Sequence, residues 1–195
     1  MNTVQDILVF IVDSIGSLFL LFVILRFFLQ LARADFYNPF SQAIVKITNP
    51  LLTPLRRAIP GVFGIDLASV VLALATQVLI SEIICLILFQ TWYNPLQLLI
   101  WGALGILNIT CYIAFACIIV MVISSFVAPH SHHPLLLLVH QLMAPVIDPV
   151  RKIIPAVGGL DFSVMFIGMG MVILQKVIYA AAVASRLLPD LVIGF

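Results

Sequence analysis

The passage PLLTPLRRAIPGVFGID, which begins at Pro50, returns as PVIDPVRKIIPAVGGLD at Pro145. A constant offset of 95 positions, without a gap, relates Pro50 to Pro145, Pro54 to Pro149, Arg56 to Arg151, Pro60 to Pro155, Gly64 to Gly159 and Asp66 to Asp161. Arg57 and Lys152 keep the charge between copies, and Pro39 and Pro134 extend the register upstream. Long apolar stretches flank each copy. One unit, a polar proline-rich signature between two apolar segments, is therefore written twice, and the fold must be built of two like halves.

The surroundings of that signature fix the solvent. Of the 195 residues, 64% are hydrophobic and 9% charged, against roughly 25% charged in an ordinary soluble domain. The mean hydropathy of +1.26 excludes a water-soluble fold. A net charge of +1 speaks against nucleic acid as a partner, since phosphate binding needs clustered Lys and Arg. Cys85, Cys111 and Cys117 all lie in apolar stretches and read as small buried hydrophobes.

Four segments, 7–31, 67–89, 96–127 and 162–188, are long enough to cross a hydrocarbon core, which takes about 20 helical residues. The first has no basic n-region and no small-x-small cleavage site behind it, so it reads as a retained span and not a signal peptide. In lipid each backbone amide must be satisfied within its own segment, which makes these segments helices. The expected fold is an all-α membrane protein: four transmembrane helices in two tandem parallel repeats, 1–95 and 96–195, each with a short proline-rich interfacial segment. Together they form one membrane domain, with a pseudo-two-fold four-helix bundle as the expected arrangement. Arg33, Lys46, Arg56, Arg57, Arg151 and Lys152 lie in the two signature loops, whereas the Trp92 turn carries no charge. The positive-inside rule then puts both signatures in the cytoplasm and both termini outside.

Within each signature the prolines lack amide donors and bias the preceding residue out of the α region, so a helix is expected to break or turn there. Before them, 40–47 and 135–139 are apolar enough for short interfacial helices. Arg56-Arg57 and Arg151-Lys152 fall at headgroup level as lipid-phosphate anchors. Pro60 and Gly64, with Pro155 and Gly159, turn the chain. Asp66 and Asp161 directly precede apolar helices, where an acidic N-cap suits the positive helix end. The alternative is that the two copies meet and form one cytoplasmic docking site.

Three charges stand within the spans: Arg26, Glu82 and Lys176. Arg26 is near enough to its helix end to snorkel. The repeat offset sets Lys176 against Ser81, so a Glu82–Lys176 pair between the second and fourth spans is expected, either structural or as a step in an ion path with Gln77, Gln175 and Asn108. Ala180, Ala181, Ala184 and Ser185 form a small-residue stripe expected to face another helix. His130, His132, His133 and His140 make a tract with no cysteine nearby. The repeat puts Asn38 and Val45 where His133 and His140 stand, so no metal site is expected. No Ser-His-Asp order, phosphate-cradling glycine loop or carboxylate pair can be assembled, so neither enzymatic activity nor a cofactor is expected.

The chain resembles the YggT family, also called YlmG, through Asn38-Pro39-Phe40-Ser41, the doubled P-x-x-x-P-[LV]-R-[RK]-x-I-P, the closing G-x-D of each copy, and Arg26 near the inner end of the first span. The resemblance covers the two-repeat form along essentially the whole chain. It implies a small, non-enzymatic, multi-pass protein of the bacterial inner membrane, linked to osmotic or extracytoplasmic stress and to envelope and ion homeostasis. Some bacterial relatives are linked to division, and plastid relatives to cytochrome assembly and nucleoid organisation. The residues leave two function classes open: a stress factor acting through lipid or protein contacts, or an oligomeric ion channel or transporter component. An assembly or division scaffold is a further alternative. The lipid bilayer is the expected partner, with a homo-oligomer or another membrane protein also open. Cysteine-accessibility labelling is expected to find positions 46 and 151 on the cytoplasmic side and position 92 outside; a signature exposed to the periplasm would overturn both the orientation and the lipid-anchor reading.

Overall fold

A computed structural model describes residues 3–61, 64–127, 131–154 and 162–195. Pro155, Gly159, Asp161 and His130 lie outside the described residues. The helices are α1 (Thr3–Leu31), α2 (Pro39–Ala58), α3 (Leu67–Phe89), α4 (Pro95–Val127), α5 (Pro134–Ile153) and α6 (Phe162–Ala184), followed by a 3-10 turn at Pro189–Leu191. The order long, amphipathic, long occurs twice. α1, α3, α4 and α6 are long and apolar enough to cross a membrane, and the protein is a multi-pass membrane protein.

The proline pairs do not break their helices. α2 runs through Pro50 and Pro54, and α5 through Pro145 and Pro149. Each interior proline removes one intrahelical hydrogen bond and crowds the carbonyl four residues back. A spacing of four keeps both defects of a pair on one side of the helix, and all four prolines are exposed. The defects thus lie on the exposed face, while the opposite face packs. In α2 that face is Ser41, Ile44, Thr48 and Leu52; in α5 it is Leu138, Val139, Leu142, Met143 and Ile147. Thr48 Oγ donates to the Ile44 carbonyl at 2.8 Å, meeting one main-chain acceptor within the helix. The interfacial elements are therefore 20-residue amphipathic helices that contain the prolines.

The spans pack in series, α1 on α3, α3 on α4 and α4 on α6, and do not form a closed four-helix bundle. One core unites α1, α3 and the start of α4, with Leu20, Ile84, Cys85, Leu98 and Trp101 almost fully buried. A second joins α4, α5 and α6 around Met121, Met143, Ile147 and Ile167. A third bridges the halves, setting Leu29 and Ile44 against Leu138 and Leu142.

The end of the chain supplies an element absent from the sequence reading. α6 stops at Ala184, short of 188, with Arg186 left-handed at φ 55°. Residues 191–193 then fold back against α3 and α4 and are buried. Trp101 Nε1 donates to the Ser185 carbonyl at 3.2 Å and Asn108 Nδ2 to the Gly194 carbonyl at 2.6 Å. Such non-helical backbone is tolerated at membrane depth only where protein encloses it. Gly105 makes the approach possible: a Cβ there would stand 2.6 Å from the Ile193 oxygen.

The predicted small-residue stripe does not pack on another helix among the described residues. Ala180, Ala181 and Ala184 are exposed, and Ala182 is the alanine that packs. A sequence stripe marks a face suited to close approach, but no neighbour among the described residues uses it.

Gly105→Ala is expected to lower the melting temperature in detergent, by an overpacking cost of about 1–3 kcal/mol. Gly168→Ala, where an added Cβ meets nothing within 4 Å, is expected to be neutral or to stabilise by up to about 1 kcal/mol through helix propensity.

Candidate functional site

The first signature folds into a polar latch between α2 and α3. Arg56 occupies the last turn of α2 and Asp66 the N-cap position of α3, so each charge suits the partial charge of its own helix end. The two meet across the turn: Arg56 Nη2 donates to Asp66 Oδ2 at 2.5 Å, and Nε reaches Oδ1 at 3.4 Å. Nη2 also donates to Gln30 Oε1 of α1 at 2.8 Å, which ties three helices together. The Ser69 hydroxyl donates to Asp66 Oδ2.

Asp66 stands at the expected N-cap position of α3, and Arg56 and Ser69 hold its carboxylate. Burial pushes this carboxyl pKa up, but the Arg56 hydrogen bond, the Ser69 hydroxyl and the Arg56 charge outweigh burial and hold it below the ordinary aspartate value. Asp66 is 3% exposed and Arg56 34%, so the pair is open to polar surroundings on one side only. Arg57, one residue on, is exposed.

Arg26 lies beside this latch and is 6% exposed, not snorkelling freely. Its guanidinium carbon stands 5.1 Å from the Phe36 ring centroid, a cation–π distance. Its Nε and Nη1 are buried without a hydrogen-bond partner. Below the latch an apolar cleft of about 350 Å³ opens between α1, α3 and α4, with Phe27, Phe28, Ser69, Ala73 and Ile106 in its wall.

In the second signature Asp161, the counterpart of Asp66, lies outside the described residues. Arg151 and Lys152 fall in the last turn of α5, and Ser163 Oγ donates to the Ile154 carbonyl at 3.0 Å. The repeat offset puts Met121 and Ser125 where the first half has Arg26 and Gln30. The two copies do approach each other, through the starts of their amphipathic helices. Asn38 Oδ1 caps α2 by accepting from the Phe40 amide at 3.0 Å, while its Nδ2 donates to the Pro134 carbonyl at 2.7 Å. His133, the equivalent residue, caps α5 through Nδ1, which accepts from the Leu135 amide at 3.2 Å. The Asp35 amide donates to Gln141 Oε1 at 3.0 Å.

The expected Glu82–Lys176 pair does not form. Glu82 turns towards the α3–α4 connection, where its carboxylate accepts from the Tyr93 amide at 3.2 Å. Lys176 is exposed on α6, and the two helices are not packed neighbours because α4 is the helix that packs on both. Equal positions in a repeat imply equal surroundings only when the halves pack alike. Gln77 is fully buried with both amide atoms unpartnered, and Asn108 serves the C-terminal segment. Sequence reasoning missed Gln30, Ser69 and the bond across the repeats from Asn38. Asn38 was the legible one, since an Asn before a proline at the first helical position is a capping signal.

The family model described as CCB3/YggT matches residues 5–89 and 100–182. The chain belongs to the CCB3/YggT family. Among the relatives of this family member is an uncharacterized protein of Pseudomonas aeruginosa, 46% identical over 159 residues, 81% of each chain. An uncharacterized protein of Vibrio alginolyticus is 40% identical, covering 83% of this chain and 88% of that one. The uncharacterized protein YggT of Escherichia coli is 37% identical over 86% of this chain and 84% of its own. No solved structure matches.

Arg56→Ala is expected to destabilise the chain in detergent by about 1–3 kcal/mol, less than a fully buried pair would cost because Arg56 is partly exposed. The contribution of a carboxyl with a depressed folded pKa is complete above its unfolded pKa and lost as pH falls through the folded one. Melting temperature should therefore drop between about pH 5 and pH 2 in the unmodified chain, and the drop should shrink in Asp66→Asn.

Proposed function

We propose that this family member is a non-enzymatic, multi-pass protein of the bacterial inner membrane that acts in the response to osmotic or extracytoplasmic stress and in envelope and ion homeostasis. In this reading α2 and α5 lie along the cytoplasmic face and both termini are periplasmic. The observation that carries it is the pair of 20-residue amphipathic helices with cationic last turns, the first latched to two spans by Arg56. A helix lying in the headgroup layer feels changes in lipid packing and surface charge. The latch passes a shift of α2 to α1 and α3, so the bundle answers to the state of the bilayer.

A cell lacking the protein should survive an osmotic shift less well than its parent. The unmodified chain should restore survival, whereas Arg56→Ala and Asp66→Asn chains that insert normally should restore it only in part. Equal survival of the deletion strain and its parent under osmotic and envelope stress would overturn the reading. Ion flux through the purified chain in liposomes, absent from protein-free vesicles, would replace it with the conducting alternative.

A further inference from the structure

Lys176 presents a charge that the fold leaves uncompensated at the middle of a span. The Trp101–Ser185 hydrogen bond sets the end of α6 beside Trp101, about 9 Å along α4 from Pro95, and Lys176 lies about 13 Å further in. That is close to the midpoint of α4, whose 33 residues run from Pro95 to Val127. A hydrocarbon core is about 30 Å thick, so a lysine stem at this depth cannot carry its ammonium to the headgroups from an upright helix. A charge facing lipid there is costly. Among the described residues Lys176 has no ion-pair partner.

The surroundings of Lys176 are built for a polar visitor. A cleft of about 410 Å³ runs between α4 and α6, lined by Asn108, Tyr112, Val172, Gln175, Lys176 and Tyr179. Gln175 Nε2 is a buried donor without an acceptor. One to two turns beyond Lys176, Ala180, Ala181 and Ala184 are exposed, small enough for another backbone to come close. Lysine and an amide N–H both seek an acceptor, and the missing partner is anionic.

We propose that the α4–α6 cleft docks a transmembrane helix of a different membrane protein, through an Asp or Glu side chain that this helix carries near the bilayer midplane. A second copy of this chain does not supply that group. In a copy standing parallel in the same membrane, Glu82 is held at the α3–α4 turn through Tyr93. Asp13 lies towards that same end, because Gly16 packs on Ile80. Both are about 12 Å nearer to the turn than Lys176. A lipid phosphate is excluded by depth. The inference stands apart from the stress reading, since it rests on α6 and uses no part of the α2–α3 latch.

The test uses the full chain in liposomes with a synthetic Leu/Ala transmembrane helix bearing one central Asp, and energy transfer between labels on the two. The Asp helix should associate about tenfold more tightly than the same helix with a central Leu. Lys176→Arg should keep that preference and Lys176→Gln should abolish it. Lys176→Asp should transfer it to a helix with a central Lys. Equal association of the Asp and Leu helices with the unmodified chain overturns the proposal, even if a variant fails to insert. So does a preference that survives Lys176→Gln, or self-association of the chain that depends on Lys176 and excludes the helix.

Discussion

Every backbone amide inside the hydrocarbon layer must find its acceptor within protein, and the rest of this structure follows from that constraint. It makes the four apolar segments helices. The same requirement explains the close wrapping of the re-entrant residues 191–195 by α3 and α4. Their carbonyl at Gly194 is met by Asn108, and residues 191–193 are buried. Polar side chains in the spans obey it less completely. Gln77, Ser81 and Gln175 retain unpartnered atoms, as does Arg26.

The latch at Arg56 and Asp66 is economical because one arginine serves three purposes. It neutralises a buried carboxylate, suits the negative end of α2, and binds Gln30 of α1. A charged pair of this kind adds modest stability but strongly fixes geometry, and here it sets how the amphipathic helix meets the next span. The second half has the cations and Ser163 but Met121 and Ser125 in place of Arg26 and Gln30. At these two positions the polar chemistry of the halves has diverged.

Local rules and the bilayer together made much of this legible in advance. The four spans follow from hydropathy and length, and the starts of the two amphipathic helices from the apolar stretches 40–47 and 135–139, although the prolines suggested an earlier stop. The helices run on through all four prolines, whose spacing of four keeps both defects of each pair on one exposed face. Asp66 was legible as a helix-start residue. Its pairing with Arg56 depended on where α2 ends in space.

By itself the sequence determined the solvent, the number of spans, the doubling and the family, because these depend on composition, periodicity and a motif repeated in register. Only the tertiary structure decided which helices touch. It set α4 against both α3 and α6, separated Glu82 from Lys176, exposed the alanine stripe and folded the chain end back onto Gly105. The physical reason is that helix pairing within a membrane has little hydrophobic drive, since lipid tails are as apolar as leucine. It is decided by shape and by a few polar contacts between distant residues, such as Trp101 with Ser185 and Asn108 with Gly194, which no pattern local in sequence records.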